Sequence, residues 1–280
     1  MKRPRLDAGR DESTGRVHQP FGDNEAMHVA AVQLTSSPDP AHNLGLVAEW
    51  ASRAVDAGAQ LAVFPEATMA CFGTSLHGIA QPLDGPFADG VRRVARDLGV
   101  LVVVGMFTPA TDGRVHNTLL ATDGGDVDVS YRKIHLFDAF TSRESEAVAP
   151  GDNLVTFAAL GATIGLATCF DVRFADQFTS LGRLGADVIC LPASWADGPG
   201  KADQWDALVT ARAMDAQAFV VAADQSLTET GGRAPRGIGR SAVVGPLGAV
   251  VGRLGDDPGV LLSRIDIAEV AAVRAAVPIL

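Results

Sequence analysis

Residues 161–176 read GATIGLATCFDVRFAD. An apolar, β-prone run from Ala162 to Ala167 stops at Thr168-Cys169. A polar-aromatic segment follows, with Asp171, Arg173 and Asp176 set among Phe170, Val172 and Phe174. This is the pattern of a strand that delivers one thiol at its C-terminal end and then turns into a helix. Reactive groups of α/β sheets collect at such strand ends. A thiol there attacks a carbonyl only if one group takes its proton and another stabilises the oxyanion. The rest of the chain has to supply both.

The 280 residues, 47 % of them hydrophobic, suffice for one large core and allow one or two domains. The formal net charge of -10 argues against nucleic acid and anionic membrane surfaces as main partners. No apolar run approaches the roughly 20 residues of a membrane span, and the N-terminus lacks the apolar centre of a secretory signal. Cys71, Cys169 and Cys190 are odd in number and widely separated, giving neither a disulfide framework nor a zinc pattern. A reducing cytoplasm fits best. The six histidines share no metal-ligand spacing, so neither a metal nor another cofactor is expected.

Residues 1–26 are polar and aperiodic and read as a disordered tail, ahead of a domain spanning 27–280. Met27 opens the first credible strand, 27–34, and is itself a candidate translation start. Leu44, Val47, Ala48, Ala51 and Val55 recur at helical spacing up to Gly58, and a buried strand, 60–64, ends at Pro65-Glu66. A helix over 87–98 precedes the continuously apolar strand 100–105, a run suited to the centre of a sheet. Two strands, 115–122 and 127–132, flank the hairpin signal Asp123-Gly124-Gly125. Strands follow near 155–157 and at 162–167, then a helix from Cys169 to about Leu184 and a strand over 187–191. A helix over 202–217 and a strand over 218–223 come next. Beyond a Gly/Arg-rich loop, 231–239, lie antiparallel strands at 241–244, 249–252 and 260–265 and a last helix from Asp266. Early alternation and late strands predict mixed sheets.

Three reactive side chains stand at strand ends: Glu66 after LAVFP, Lys133 after VDVSYR, and Cys169. Lys133 is one of only three lysines against 20 arginines, and its compact charge suits oxyanion stabilisation. A nearby carboxylate serves as general base, and an ammonium beside the thiol lowers its pKa. Singly, each has an ordinary explanation: a loop glutamate, a surface lysine, a small buried hydrophobe. Their joint occurrence reverses that reading. Other catalytic signatures are absent: no G-x-S-x-G elbow, no usable G-x-G-x-x-G, and no Walker A at Gly200-Lys201.

The blocks AVFPEA (62–67), YRKIHLFDA (131–139) and TCFDVRFAD (168–176) resemble the three catalytic blocks of the nitrilase superfamily of carbon-nitrogen hydrolases. LPASW (191–195), QWDALVTARAMDAQAFVVAADQ (204–225) and the C-terminal strands agree, so the resemblance covers about 28–280. It implies an α/β fold of four layers, an α-β-β-α sandwich with mixed sheets. It also implies Glu66 as general base, Cys169 as nucleophile, Lys133 as stabiliser of the tetrahedral intermediate and the Phe170 N–H as oxyanion donor. A second glutamate is expected at Glu144, with Glu146 as the alternative register.

YRKIHLFDA, SRES and GPGKADQW are most similar to the Nit branch, the ω-amidases and deaminated glutathione amidases, whose substrates carry a carboxylate. Arg173 is the candidate to grip it bidentately; an ion pair to Asp171 or Asp176 is the structural alternative. Tyr131 and Trp195 line the pocket or pack in the core, Cys71 and Cys190 pack, and His135 is a structural hydrogen-bonding residue. Arg240 stands where the branch often has histidine, and Phe174-Ala175-Asp176 replaces Phe-Pro-Glu. A nitrilase, an N-carbamoyl amino acid hydrolase or an aliphatic amidase would share the triad, and a non-catalytic scaffold would have lost part of it. The resemblance further implies a homodimer or larger homo-oligomer.

Overall fold

The computed structural model describes residues 26–227 and 237–280. The expected tail therefore lies outside the described residues except for Ala26, as does most of the 231–239 loop. Two six-stranded sheets form the centre. The first contains β1 (Ala26–Gln33), β2 (Leu61–Val63), β3 (Leu101–Pro109), β4 (Val115–Thr122) and β5 (Asp128–Arg132). A late strand, β12 (Gly259–Asp266), closes its edge by pairing antiparallel with β1 along its whole length. The second contains β6 (Val155–Ala159), β7 (Ala162–Leu166), β8 (Val188–Ala193), β9 (Phe219–Asp224), β10 (Ala242–Val244) and β11 (Val250–Arg253), in the order 11-10-9-8-7-6. β1, β2 and β3 run parallel, as do β7, β8 and β9, and the outer strands are antiparallel.

Helices α1 (Pro40–Asp56) and α3 (Pro86–Leu98) cover the first sheet through Val47, Ala51, Phe87 and Val91. Helices α4 (Ala175–Arg183) and α5 (Lys201–Ala216) cover the second through Phe178, Leu181, Trp205 and Val209. The inward faces of both sheets make the middle core, where Val63, Val103 and Leu119 meet Leu166, Cys190 and Val221. This is the α-β-β-α sandwich. The short α2 (Leu76–Ile79) and the terminal α6 (Ile267–Ala276) complete the elements. Among the described residues no helix is long and apolar enough to cross a membrane.

Most sequence-derived elements appear within a few residues. The helix expected directly from Cys169 is instead a 3-10 turn, Cys169–Arg173, followed by α4. The break has a local cause: the Asp171 carboxylate accepts from the Thr168 N–H at 2.8 Å, and Phe174 is extended between the two pieces. The four-residue α2 was not foreseen; it is too short to show a helical period.

Gly105 on β3 couples the sheet to the loop after β2. A Cβ there would stand 2.7 Å from the Ala67 nitrogen and 2.9 Å from the Glu66 Cα. Overpacking of this kind costs about 1–3 kcal/mol. Gly105→Ala is expected to lower the urea midpoint accordingly and to reduce activity further by displacing Glu66. A variant with wild-type stability and turnover would contradict that coupling.

Candidate active site

Glu66 follows β2, Lys133 directly follows β5, and Cys169 follows β7, so the first sheet contributes two groups and the second one. All three meet at one end of the sandwich. The Lys133 ammonium donates to Glu66 Oε1 at 2.9 Å and to Glu144 Oε2 at 2.9 Å. Lys133 is held by its backbone, donating to Asn117 O at 2.9 Å and accepting from the Gly151 N–H at 2.8 Å. Glu66 is similarly fixed: Asn117 Nδ2 donates to Oε1 at 2.7 Å, and the Ser194 N–H beyond β8 donates to Oε2 at 2.9 Å. Glu144, in the 3-10 turn Glu144–Glu146, accepts from the Phe137 N–H at 2.6 Å and from Asn117 Nδ2 at 3.2 Å. Glu144, not Glu146, therefore occupies the position beside the lysine.

Burial pushes the Glu66 carboxyl above its ordinary range; Lys133 opposes this and the Glu144 charge adds to it. The result is a stronger base than an exposed carboxylate. Burial also works against the Lys133 ammonium, but Glu66 and Glu144 outweigh it and the lysine stays charged well above neutral pH. The Cys169 thiol is pushed up by burial and by the Glu66 charge, against the pull of Lys133 and the Ser194 amide. It rests as a neutral thiol sharing a hydrogen bond with Glu66. Cys169 has φ +45°, a strained conformation for a residue with a Cβ. The Phe170 N–H follows at the head of the 3-10 turn, where the first amides have no acceptor within the helix.

A cavity of about 400 Å³ opens on these groups, lined by Glu66, Lys133, Glu144 and Cys169 together with Phe170, Trp195, Lys201 and an apolar wall that includes Phe72, Leu76, Phe137 and Val148. Phe170 and Trp195 thus face it. Tyr131 does not: it is buried in the middle core, and its hydroxyl donates to Asp171 at 2.5 Å. His135 and Gln177 join the same cluster, His135 Nδ1 lying 3.0 Å from Asp171 Oδ1 and Gln177 Nε2 donating to the Tyr131 oxygen at 3.0 Å. This cluster holds the turn that carries the thiol. Arg173 is also absent from the lining. Its guanidinium donates to Gln204 at 2.7 Å and lies 4.9 Å from the Trp195 ring centre, paired with neither Asp171 nor Asp176. Residue 173 ends the 3-10 turn, which points its side chain toward α5. Arg240 bonds to Asp206 on α5, which also pairs with Arg253 on β11. Cys71 and Cys190 are buried free thiols.

Three participants escaped the sequence reading. Asn117 bridges both carboxylates. Asp224 accepts from the Trp195 N–H at 2.7 Å and from the Ile238 N–H at 3.0 Å, fixing the cavity wall. Lys201 lines the cavity; its rarity as one of three lysines was the available signal. Among the described residues no group of three or more His, Cys, Asp or Glu side chains could hold a metal ion.

A buried ammonium held by two glutamates thus lies beside a thiol at the seam of an α-β-β-α sandwich. The carbon-nitrogen hydrolase family profile matches residues 28–275, and the chain belongs to that family. It is thereby an enzyme acting on carbon-nitrogen bonds other than peptide bonds. A protein of Mycobacterium tuberculosis described only as a hydrolase is 47 % identical over 264 residues, 91 % of this chain and 94 % of that one. The deaminated glutathione amidase of Escherichia coli O157:H7 is 31 % identical, covering 91 % of this chain and 96 % of its own, which puts the chain with the Nit-type members. Among solved structures, an amidase variant from Nesterenkonia sp. AN1 superposes with a TM-score of 0.77 at 27 % identity, over 91 % of this chain and 96 % of that one. That structure has the acetamide moiety of fluoroacetamide joined to its active-site cysteine.

Asn117 donates to the ionised form of Glu66, so its loss raises the Glu66 pKa further. Asn117→Leu is expected to move the acid limb of kcat/KM to higher pH and to lower kcat/KM at neutral pH about tenfold. An unshifted acid limb would remove Asn117 from the positioning of the base.

Proposed function

We propose that this protein is an amidase that hydrolyses a small carboxylate-bearing amide, deaminated glutathione or the ω-amide of a 2-oxo acid, through a cysteine thioester. The observation that carries the reading is the Lys133 ammonium, 2.9 Å from both Glu66 and Glu144, in the cavity that Cys169 lines. In this mechanism Glu66 takes the Sγ proton as Cys169 attacks the amide carbon, and Lys133 and the Phe170 N–H hold the oxyanion. The C–N bond breaks, Glu66 returns its proton to the leaving nitrogen, and ammonia departs from the thioester. Glu66 then deprotonates water, which attacks the thioester carbon; the C–S bond breaks and the thiol regains its proton while the acid leaves. Glu144 keeps Lys133 charged and oriented.

The raised thiol pKa supports concerted proton removal by Glu66 over a preformed thiolate. The amidase name of the E. coli relative supports a carboxylate-bearing substrate. Three free thiols suit a reducing, cytoplasmic setting. The proposal includes a homodimer or larger homo-oligomer through α4 and α5, whose ends expose Leu184 and Met214.

The test is an ammonia-release panel of deaminated glutathione, 2-oxoglutaramate, carbamoyl-amino acids and simple nitriles, run with wild type, Cys169→Ala and Cys169→Ser. Turnover is expected on the first two substrates and at most about 1 % of it in either folded variant, the scale of a lost covalent route. Preference for nitriles or carbamoyl compounds would reassign the substrate. Substantial activity in Cys169→Ala would sink the triad itself.

A further inference from the structure

Lys201 is the first residue of α5, where the helix macrodipole disfavours a cation. It is only 8 % exposed, yet among the described residues its ammonium has neither a hydrogen-bond acceptor nor an ion-pair partner. Its neighbours are instead ring faces: Nζ lies 4.2 Å from the Trp195 centre, 5.5 Å from Phe137 and 5.9 Å from Phe140. Cation–π contact holds the chain in place and leaves the three N–H donors uncommitted. Burial and the neighbouring Arg173 work against the charge, while Cys169 and the more distant Asp224 carboxylate favour it. Among the described residues only ring faces hold this ammonium.

The charges around the cavity are lopsided. Lys133, the other lysine of the lining, is already shared between Glu66 and Glu144. Arg173 carries a second charge 4.9 Å from the Trp195 ring centre but donates to Gln204 and does not line the cavity. Lys201 is thus the one lining cation with no hydrogen-bonded or ion-paired carboxylate among the described residues, Asp224 acting on it only at longer range, and it stands at the start of a 16-residue helix.

We propose that Lys201 is the specificity-determining residue of this site, its aromatic-framed ammonium binding the carboxylate of an anionic amide whose other end lies against Cys169. The proposal rests on the amidase reading given above and assigns the anchor to Lys201 in place of Arg173. The carboxylate oxygens accept from the Lys201 ammonium while the apolar wall of Phe72, Leu76 and Val148 takes the methylene chain. A neutral amide of the same length fits the wall but leaves the ammonium unpartnered.

The experiment compares alkylation of Cys169 by iodoacetate and by iodoacetamide, reagents that differ in carrying a carboxylate, with peptide mass spectrometry as the readout. The ratio of the two rates is expected to fall at least about fivefold in Lys201→Met, to stay near wild type in Lys201→Arg, and to change less in Arg173→Met. Lys201→Gln serves the same purpose if Lys201→Met fails to fold. An unchanged ratio in the neutral variants, or a larger fall in Arg173→Met, overturns the proposal. Ammonia release from 2-oxoglutaramate and from valeramide is measured in parallel, and the preference for the acid is expected to fall with the alkylation ratio, mainly through KM. If wild type releases ammonia from no amide while the alkylation ratio still depends on Lys201, the activity reading fails and the anion site stands. If ammonia is released and the ratio ignores Lys201, the activity stands and the anchor fails.

Discussion

The ammonium of Lys133 is almost wholly buried, and two carboxylates share it. Removing such ions from water costs several kcal/mol each, and only near-complete hydrogen bonding makes the arrangement tolerable. The chain meets that requirement from widely separated segments: the Asn117 amide from β4, the Ser194 N–H from the end of β8, and the Phe137 N–H from the loop after β5. Losing any one donor leaves a buried carboxylate with fewer hydrogen bonds to hold its charge. The requirement fixes how the two sheets dock, because Ser194 belongs to one and Glu66 to the other. A sideways slip would break the Glu66–Ser194 bond and separate Cys169 from its base.

The same electrostatics select the kind of thiol chemistry. Many reactive cysteines are activated as thiolates by a nearby cation or a helix N-terminus. Here Lys133 favours the thiolate, but burial and the Glu66 charge favour the thiol, and they prevail. Glu66 cannot be both an anion and an indifferent neighbour: its charge keeps the sulfur protonated and its basicity later removes that proton. In the proposed mechanism the nucleophile is therefore formed as it attacks.

Glu66, Lys133 and Cys169 could be picked out because each follows a strand-like run, apolar for Glu66 and Cys169 and mixed for Lys133, and strand ends are where a sheet presents reactive groups. Glu144 was expected only through the family resemblance, with Glu146 as the alternative register. Asn117 was not legible, since an asparagine inside a strand has no special signal until β4 is known to lie between β3 and β5. Of the two readings open for Tyr131, pocket lining and core packing, the structure shows the second, and Arg173 lies near the cavity without lining it. Alternation along β5 puts Tyr131 in the core, and the turn that starts from the positive φ of Cys169 carries Arg173 past the cavity. Side-chain direction in an irregular turn depends on dihedral angles that residue type alone does not dictate. Lys201 was weighed only as part of a phosphate-loop pattern that its local sequence lacks, although its rarity marked it.

The pairing of β1 with β12 ties residue 26 to residue 266, nearly the full length of the described chain. Ribosomes add about 5–20 residues per second, so β1 waits tens of seconds after its synthesis for its outer neighbour. During that interval the edge of the first sheet is an open row of amides and carbonyls, the form of strand most prone to pair with another chain. The residues of the site have all been synthesised by then, on a scaffold not yet shut. The last of the described strands is therefore the one that covers the first.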